Sequence, residues 1–270
     1  MDKAFIQKEI LKYVTASPAR RTPRFLKKTI CETYGLDKAH VSAALKDLVA
    51  RRELEYTYEF GNSYLVAAFN KPVRISTHVV VQPPGHRYRP LTDDIVIEIK
   101  PGAAFGDGRH PTTRLGVKAI EFLLKDVRPD RLSENCCVLD IGTGSGILAI
   151  AAVCLGIKKG LGIDVDPSAF AEATENIALN NLQNRIFISN RSIDSIDQVF
   201  LMVIANLRYP SLINYYPRIS KLTGSGGWAV LSGFRLHERD DLMELYTANH
   251  FECIQTTAEL DWAAALLKRI

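Results

Sequence analysis

The chain has 270 residues, 47% hydrophobic and 24% charged, with no apolar run of about 18 residues and no signal-peptide pattern, so we expect a cytoplasmic globular protein without membrane-spanning helices. Residues 1–90 carry 16 basic and 8 acidic side chains, a net charge of +8, whereas the other 180 carry 18 and 22, a net of −4. Two regions of opposite charge indicate two separate tasks.

The first 70 residues predict three short helices followed by a β-hairpin. Thr22 and Asp37 stand where N-caps of the second and third helices belong. Gly61 and Asn62 separate two runs of alternating polarity and predict the hairpin turn. This order of elements is typical of a winged helix, a unit that often lays its third helix along nucleic acid. A protein-docking or purely structural module fits the pattern equally well, so both interpretations stay open.

We interpret residues 71–96 as a proline-rich linker and residues 97–270 as the second domain. From Asn135 onward, strand and helix patterns alternate, which predicts a doubly wound, Rossmann-like parallel sheet with helices on both faces. Only a short "ELDW" connection separates the last two strands, so we expect them to pair antiparallel. The five cysteines show no metal-ligand spacing, and we interpret the strand residues Cys136 and Cys137 as core.

A glycine-rich turn marks the first of these strands as a binding element. "VLDIGTGSGILAIAA" places Gly142, Gly144 and Gly146 between a strand and a helix, where they permit a tight turn and close approach of a ligand to the backbone. Asp164 ends the next strand, twenty residues beyond Gly144, where a carboxylate can accept hydrogen bonds from both ribose hydroxyls. An NAD site shares these features, and a simple strand-end cap is the alternative role for Asp164.

Several details favour S-adenosylmethionine over a dinucleotide as the ligand. Asp140 stands directly before Ile-Gly, as is typical of methyltransferase loops, and the GTGSG spacing differs from GxGxxG. "GSGGWAVLSG" resembles the recurring turn ahead of the fifth strand in class I methyltransferases. Asn206 lies at the carboxyl end of another strand, where open α/β sheets hold their ligands. The contact to adenine stays open among Asn190, Ser192 and Asp194.

Together, "AFGDGRHPTTRLG", "VLDIGTGSGILAIAA", "GIDVDPSAFAEATENIALN", "VIANL" and "WAVLSG" resemble the PrmA family, which methylates amino groups of a large-subunit ribosomal protein. The resemblance runs in order from residue 97 to residue 270. It implies a seven-stranded class I methyltransferase sheet, S-adenosylmethionine as the cofactor, and a loop folded over that cofactor. It also implies the cofactor-contacting residues: Phe105, Thr113, Gly142, Gly144, Asp164 and Asn206.

This chain departs from the family pattern at three places. Asp107 and Arg109 replace the two threonines of the family's GTGTHPTT loop, and Leu207 and Arg208 follow Asn206 in place of isoleucine and a small residue. The first 96 residues do not resemble the family's own substrate-docking domain. We interpret the loop histidine, His110, as a brace rather than as a base.

Methyl transfer from a sulfonium is an in-line displacement that needs positioning and exclusion of water more than acid–base catalysis. We assign Asn206 as the catalytic residue, since its side-chain oxygen can orient an acceptor amine. The predicted function is methylation of amino groups, on a lysine side chain or an N-terminus, of a protein acceptor, a ribosomal protein by resemblance. Two alternatives stay open: an RNA methyltransferase guided by the basic winged helix, and a DNA-binding regulator that senses S-adenosylmethionine.

Overall fold

The computed structural model describes residues 2–15, 21–51, 53–59, 62–68, 71–86, 88–127 and 137–270. The chain divides into two compact units, Met1–Asn70 and Lys71–Ile270. In the part of the chain described, the helices are too short or too polar to cross a membrane.

The first unit contains three helices and a hairpin in the predicted order. These are α1 (Lys3–Thr15), α2 (Pro23–Tyr34), α3 (Lys38–Ala50), β1 (Leu54–Glu59) and β2 (Asn62–Ala67), with β1 and β2 antiparallel. Both predicted caps are confirmed, because Thr22 Oγ1 accepts the Phe25 N–H at 3.2 Å and the Asp37 carboxylate accepts the Ala39 N–H at 3.0 Å. The helices and the hairpin enclose an aliphatic core of their own. Gly61 of the predicted turn lies outside the described residues.

The second unit begins with a small three-stranded sheet formed by β3 (Val73–Arg74), β4 (Val79–Gln82) and β5 (Ile95–Glu98). Strand β4 pairs antiparallel with β3 and parallel with β5, and all four of its residues are buried. The prediction of a linker over residues 71–96 is therefore wrong. Pro83 and Pro84 directly follow the apolar run of β4, and their turn signal obscured a short buried strand.

The main sheet has seven strands in the order β11-β12-β10-β9-β6-β7-β8. They are β6 (Cys137–Ile141), β7 (Lys159–Ile163), β8 (Ile186–Ser189), β9 (Phe200–Asn206), β10 (Thr223–Arg235), β11 (Phe251–Glu259) and β12 (Trp262–Arg269). Strands β8, β7, β6, β9 and β10 pair in parallel, whereas β12 is antiparallel to both β10 and β11. The predicted antiparallel final pair is confirmed. Cys137 is partly buried against the core, and Cys136 lies outside the described residues.

Helices cover both faces of this sheet, as predicted. They are α4 (Pro111–Glu121), α5 (Ile147–Leu155), α6 (Pro167–Leu179), α7 (Tyr209–Leu222) and α8 (Arg239–Thr247). Ala229 and Leu231 of β10 share a core cluster with residues of α7 and α8, whereas Gly116 of α4 packs close to Ser232. Because neighbouring residues of a strand point to opposite faces, α4 lies on the face opposite α7 and α8. The carboxyl ends of β6, β7 and β9 are left free to form a site.

Candidate active site

A cavity of about 710 Å³ lies at the carboxyl ends of β6, β7 and β9. Its volume falls within the range of small-molecule sites. Five of the six predicted site residues line it: Phe105, Gly142, Gly144, Asp164 and Asn206. The structure therefore brings these five residues together at one cavity, although they belong to four separate segments of the chain.

Two features of the structure require glycine in the turn after β6. Gly142 and Gly144 have φ values of +67° and +55°, in the left-handed region that favours glycine. A Cβ atom on Gly144 would lie 2.3 Å from the carbonyl oxygen of Phe105. Glycine is thus needed because the segment that carries Phe105 crosses the turn, in addition to any need of a ligand.

Asp164 both braces the turn and faces the cavity. Its Oδ2 accepts the Gly144 N–H at 2.9 Å, and its Oδ1 accepts the Asp166 N–H at 3.0 Å. An ionised carboxylate has about four acceptor positions, so about two remain for a ligand. The cap interpretation and the binding interpretation are therefore compatible.

Asp140 supports the turn from inside the protein. Its Oδ2 accepts hydrogen bonds from Thr143 Oγ1 at 2.7 Å and from the Ala149 N–H at 3.3 Å, while Oδ1 has no partner among the described residues. Burial raises the pKa of Asp140 to about 6; the two hydrogen bonds lower it, and the nearby charge of Asp164 raises it.

The position of Asn206 at the cavity is fixed by contacts of the next residue, Leu207. The Leu207 N–H donates to the Ser232 carbonyl at 3.0 Å, and the Leu207 side chain fills the space beside Gly142, where a Cβ would lie 2.6 Å from it. Gly233, at φ +96°, leaves room for the Leu207 backbone. Within the described part of the chain, the Asn206 side chain makes no hydrogen bond, so its amide is available to a ligand.

A row of aromatic rings borders the cavity, beginning in the segment 103–110, which we call the cover loop. The half-exposed Phe105 ring packs against His110 with centroids 5.1 Å apart, and His110 packs against Trp262 at 4.9 Å. The Arg235 guanidinium lies 3.7 Å from the centre of the Trp262 ring. His110 also caps α4, since its Nδ1 accepts the Thr112 N–H at 3.3 Å. This geometry agrees with a bracing role for His110.

One predicted loop residue, Thr113, does not line the cavity. Thr112 lines the cavity, whereas Thr113 is fully buried and its hydroxyl has no partner among the described residues. Consecutive helical residues point about 100° apart, so beginning the helix at Pro111 turns Thr113 away. The family departures Asp107 and Arg109 bind each other, with Arg109 Nε donating to Asp107 Oδ2 at 2.6 Å.

Sequence reasoning missed several lining residues, among them Val165, Arg191, Ile193, Arg208 and Trp262. Trp262 reaches the cavity because a tight turn at Leu260 and Asp261, both with positive φ, folds β12 back on β11. Of the candidates for the adenine contact, Ser192 lines the cavity. The Asp194 carboxylate lies 3.6 Å from Arg218 Nε instead.

Comparison with known proteins supports the expected resemblance. A family model described as ribosomal protein L11 methyltransferase (PrmA) matches residues 64–269. Relatives of that name from Citrifermentans bemidjiense and from Clostridium botulinum (strain Eklund 17B) are 34% and 38% identical over 199 and 201 residues. Each alignment covers 74% of this chain, and 64% and 61% of the relative, respectively, so the chain spans less than two thirds of their length.

A crystal structure of a ribosomal protein L11 methylase from Lactobacillus delbrueckii subsp. bulgaricus superposes with a TM-score of 0.65 at 29% identity. The superposition covers 74% of this chain and 98% of the other. The family match omits residues 1–63 and includes every residue that lines the cavity. The chain therefore belongs to the family of ribosomal protein L11 methyltransferases (PrmA).

Proposed function

We propose that this protein is an S-adenosylmethionine-dependent methyltransferase that methylates amino groups of a protein, with ribosomal protein L11 as the acceptor. The observation that carries the proposal is a cavity lined both by the Gly144–Asp164 pair and by Asn206, whose side chain makes no hydrogen bond among the described residues. Membership of the PrmA family supports both the reaction and the acceptor.

The residues around the cavity fit S-adenosylmethionine. The turn at Gly142 and Gly144 exposes backbone without side chains, and Asp164 keeps acceptor positions for ribose hydroxyls. Val165 and Ile193 offer apolar side chains near Ser192, which suit the faces of a purine. When bound, this cofactor supplies a methyl group on a positively charged sulfur, which a neutral amine can attack.

In the proposed reaction, Asn206 orients the acceptor by accepting a hydrogen bond from its amine, so that the nitrogen lone pair points toward the methyl group. The amine must be neutral, although a lysine in water has a pKa of about 10.4. Entry of the acceptor into the cavity would remove water from its amine, and loss of water disfavours the charged ammonium form. Arg208 lines the cavity and makes no ion pair within the described residues, and its charge favours the neutral amine further.

We also propose that residues 1–70 form a winged-helix-like docking module that selects the acceptor. They have a core separate from the catalytic unit, and almost all of them lie outside the family match. Lys38 and Lys46 are exposed on α3, and residues 1–90 carry a net charge of +8. A basic surface of this kind binds acidic partners, either protein or nucleic acid. We favour a protein partner, because the family acts on a protein.

The proposal is tested with the full-length protein, tritiated S-adenosylmethionine, purified ribosomal protein L11, and separate ribosomal RNA. We expect label in L11 amines, and a fall in kcat of about 100-fold in Asn206→Ala, because a mispositioned nucleophile reacts slowly. Label in RNA alone would contradict the amine reaction and favour an RNA methyltransferase. Binding of S-adenosylmethionine without transfer to either acceptor would favour a sensor.

The docking role is tested with Lys38→Glu/Lys46→Glu. This variant should raise the KM for L11 and leave the affinity for S-adenosylhomocysteine unchanged. Lys8→Glu on α1, another exposed lysine of this unit, is the matched control. An unchanged KM in the double variant would refute docking through α3.

A further inference from the structure

Helix α6 holds the chain that leads into the cover loop. Glu172, Asn176 and Asn180 are spaced four residues apart, so they lie along one face of α6 and its C-cap. Each binds main-chain groups of residues 98–104, which begin at the last residue of β5. Asn180 Oδ1 accepts the Glu98 N–H at 2.9 Å, and its Nδ2 donates to the Glu98 carbonyl at 2.7 Å. Asn176 Oδ1 accepts the Lys100 N–H at 2.9 Å.

Glu172 makes the contact nearest to the cavity. Its two carboxylate oxygens accept the N–H groups of Ala103 and Ala104 at 2.8 and 2.9 Å. A Cβ on Gly102 would lie 2.1 Å from Glu172 Oε2, so the carboxylate occupies the space that any side chain at this position would need. Hydrogen bonds to an ionised acceptor are stronger than those between neutral groups.

The same helix connects this segment to the glycine turn. Asn176 Nδ2 donates to the buried Ser145 carbonyl at 2.9 Å. Ser145 in turn holds the next two residues of the loop, because its N–H donates to the Phe105 carbonyl at 2.9 Å and its Oγ donates to the Gly106 carbonyl at 2.7 Å. Residues 100 and 105–106 are thus fixed by Asn176 and Ser145. Among the residues that the structure describes, Glu172 alone binds the main chain of the two alanines between them.

We propose that Glu172 is a positioning residue that sets cofactor affinity by holding the Ala103–Phe105 wall of the cavity in place. Ala103, Ala104 and Phe105 all line the cavity, whereas Glu172 does not, so it acts through the main chain of this wall. The inference rests on the proposed function for the identity of the ligand. The clasp itself, defined as Glu172 with the N–H groups of Ala103 and Ala104, is a property of the protein without a ligand.

The test uses the full-length Glu172→Ala variant. Amide hydrogen exchange at Ala103 and Ala104, measured without ligand, should become about tenfold faster, as expected when a local contact is lost. The Kd for S-adenosylhomocysteine, measured by calorimetry, should rise about tenfold. The KM for S-adenosylmethionine should rise with little change in kcat, because Glu172 does not touch the reacting groups. Glu172→Gln, which keeps one acceptor oxygen, should be intermediate.

Two further variants make the test specific. Gly102→Ala forces the Glu172 carboxylate to shift and should change exchange and affinity in the same direction by a smaller factor, because a flexible side chain can move aside. It therefore carries the test even if Glu172→Ala fails to fold. Glu175→Ala is the matched control, because it removes the same charge from α6 and breaks only the half-exposed pair with Lys100 Nζ at 2.7 Å. It should behave as the wild type in both measurements.

Unchanged exchange at Ala103 and Ala104 in Glu172→Ala and Gly102→Ala would overturn the clasp. Faster exchange with unchanged affinity for S-adenosylhomocysteine would overturn its role in positioning the cavity wall. If the wild type itself fails to bind S-adenosylhomocysteine, the proposed function falls, and the exchange measurement still decides whether the clasp exists.

Discussion

Replacing Asp164 by alanine tests the assignment of the cavity most directly. The carboxylate accepts two main-chain N–H groups, from Gly144 and Asp166, and keeps about two acceptor positions for ribose hydroxyls. A hydrogen bond to a charged group contributes about 1.5–3 kcal/mol, and the partial exposure of Asp164 extends this range downward to about 1 kcal/mol. We therefore expect Asp164→Ala to weaken binding of S-adenosylhomocysteine by about 1–3 kcal/mol, which corresponds to roughly 5- to 150-fold in Kd.

The assay is calorimetry with two ligands. 5′-Methylthioadenosine has the adenine and ribose of S-adenosylhomocysteine but lacks the amino-acid arm, so both ligands should lose the same free energy of binding. Asp197→Ala is the control, since this carboxylate is 86% exposed and its nearest ion pair, to Lys221, spans 3.9 Å. Unchanged affinity for both ligands in Asp164→Ala would refute the pocket assignment. A loss confined to S-adenosylhomocysteine would move Asp164 from the ribose to the amino-acid arm.

Two further predictions concern the glycine turn. Folding raises the pKa of Asp140 from 3.8 to about 6, so the folded protein binds this proton more tightly than the unfolded chain does. The free energy of unfolding should therefore fall by about 3 kcal/mol as the pH rises from 3.8 to 6, and it should stay lower at higher pH. Chemical denaturation at pH 4.5 and at pH 7.5 measures this fall, which Asp140→Asn should lack. The same change in the free energy of unfolding between the two pH values in wild type and variant would contradict the prediction. Gly144→Ala should lower the free energy of unfolding by about 1–2 kcal/mol, because alanine disfavours the left-handed backbone conformation at this position. It should also bind S-adenosylhomocysteine at least tenfold more weakly, because its Cβ would collide with the Phe105 carbonyl. Gly35 has a φ of +62° and open space around it, so Gly35→Ala should lower the free energy of unfolding without changing the affinity for S-adenosylhomocysteine. Similar affinity for this ligand in both variants would argue against a collision between residue 144 and the Phe105 carbonyl.

The parts of the site that the sequence predicted are those carried by short local patterns. Gly142 and Gly144 form a strand-to-helix turn, Asp164 directly follows β7, and Asn206 ends β9. Because the carboxyl ends of parallel strands meet at one edge of a sheet, these patterns locate the site without knowledge of any contact. The antiparallel final pair was predictable for a similar reason, since a short connection leaves two strands few other ways to pair.

The parts that the sequence did not predict depend on contacts between distant segments or on the phase of a helix. Trp262 lines the cavity only because β12 returns beside β10, more than a hundred residues beyond the glycine turn. Which of Thr112 and Thr113 faces the cavity depends on the residue at which α4 begins, and a start at Pro111 places Thr112 there. The strand Val79–Gln82 has only four residues, too few for its period to distinguish a strand from a linker.

The hydrogen bonds between α6 and residues 98–104 affect which substitutions this segment can accept. In the hydrogen bonds to Glu172, Asn176 and Asn180 the helix contributes side chains, whereas the partner segment contributes main-chain groups, which nearly every amino acid possesses. These groups belong to Glu98, Lys100, Ala103 and Ala104. Mutations can therefore accumulate at these four positions, proline excepted, while the chain keeps its path. The need for particular side chains lies instead with Glu172, Asn176 and Asn180 of the helix. Because Ala103 and Ala104 line the cavity, substitutions there can change the wall of the cavity while the chain keeps its path.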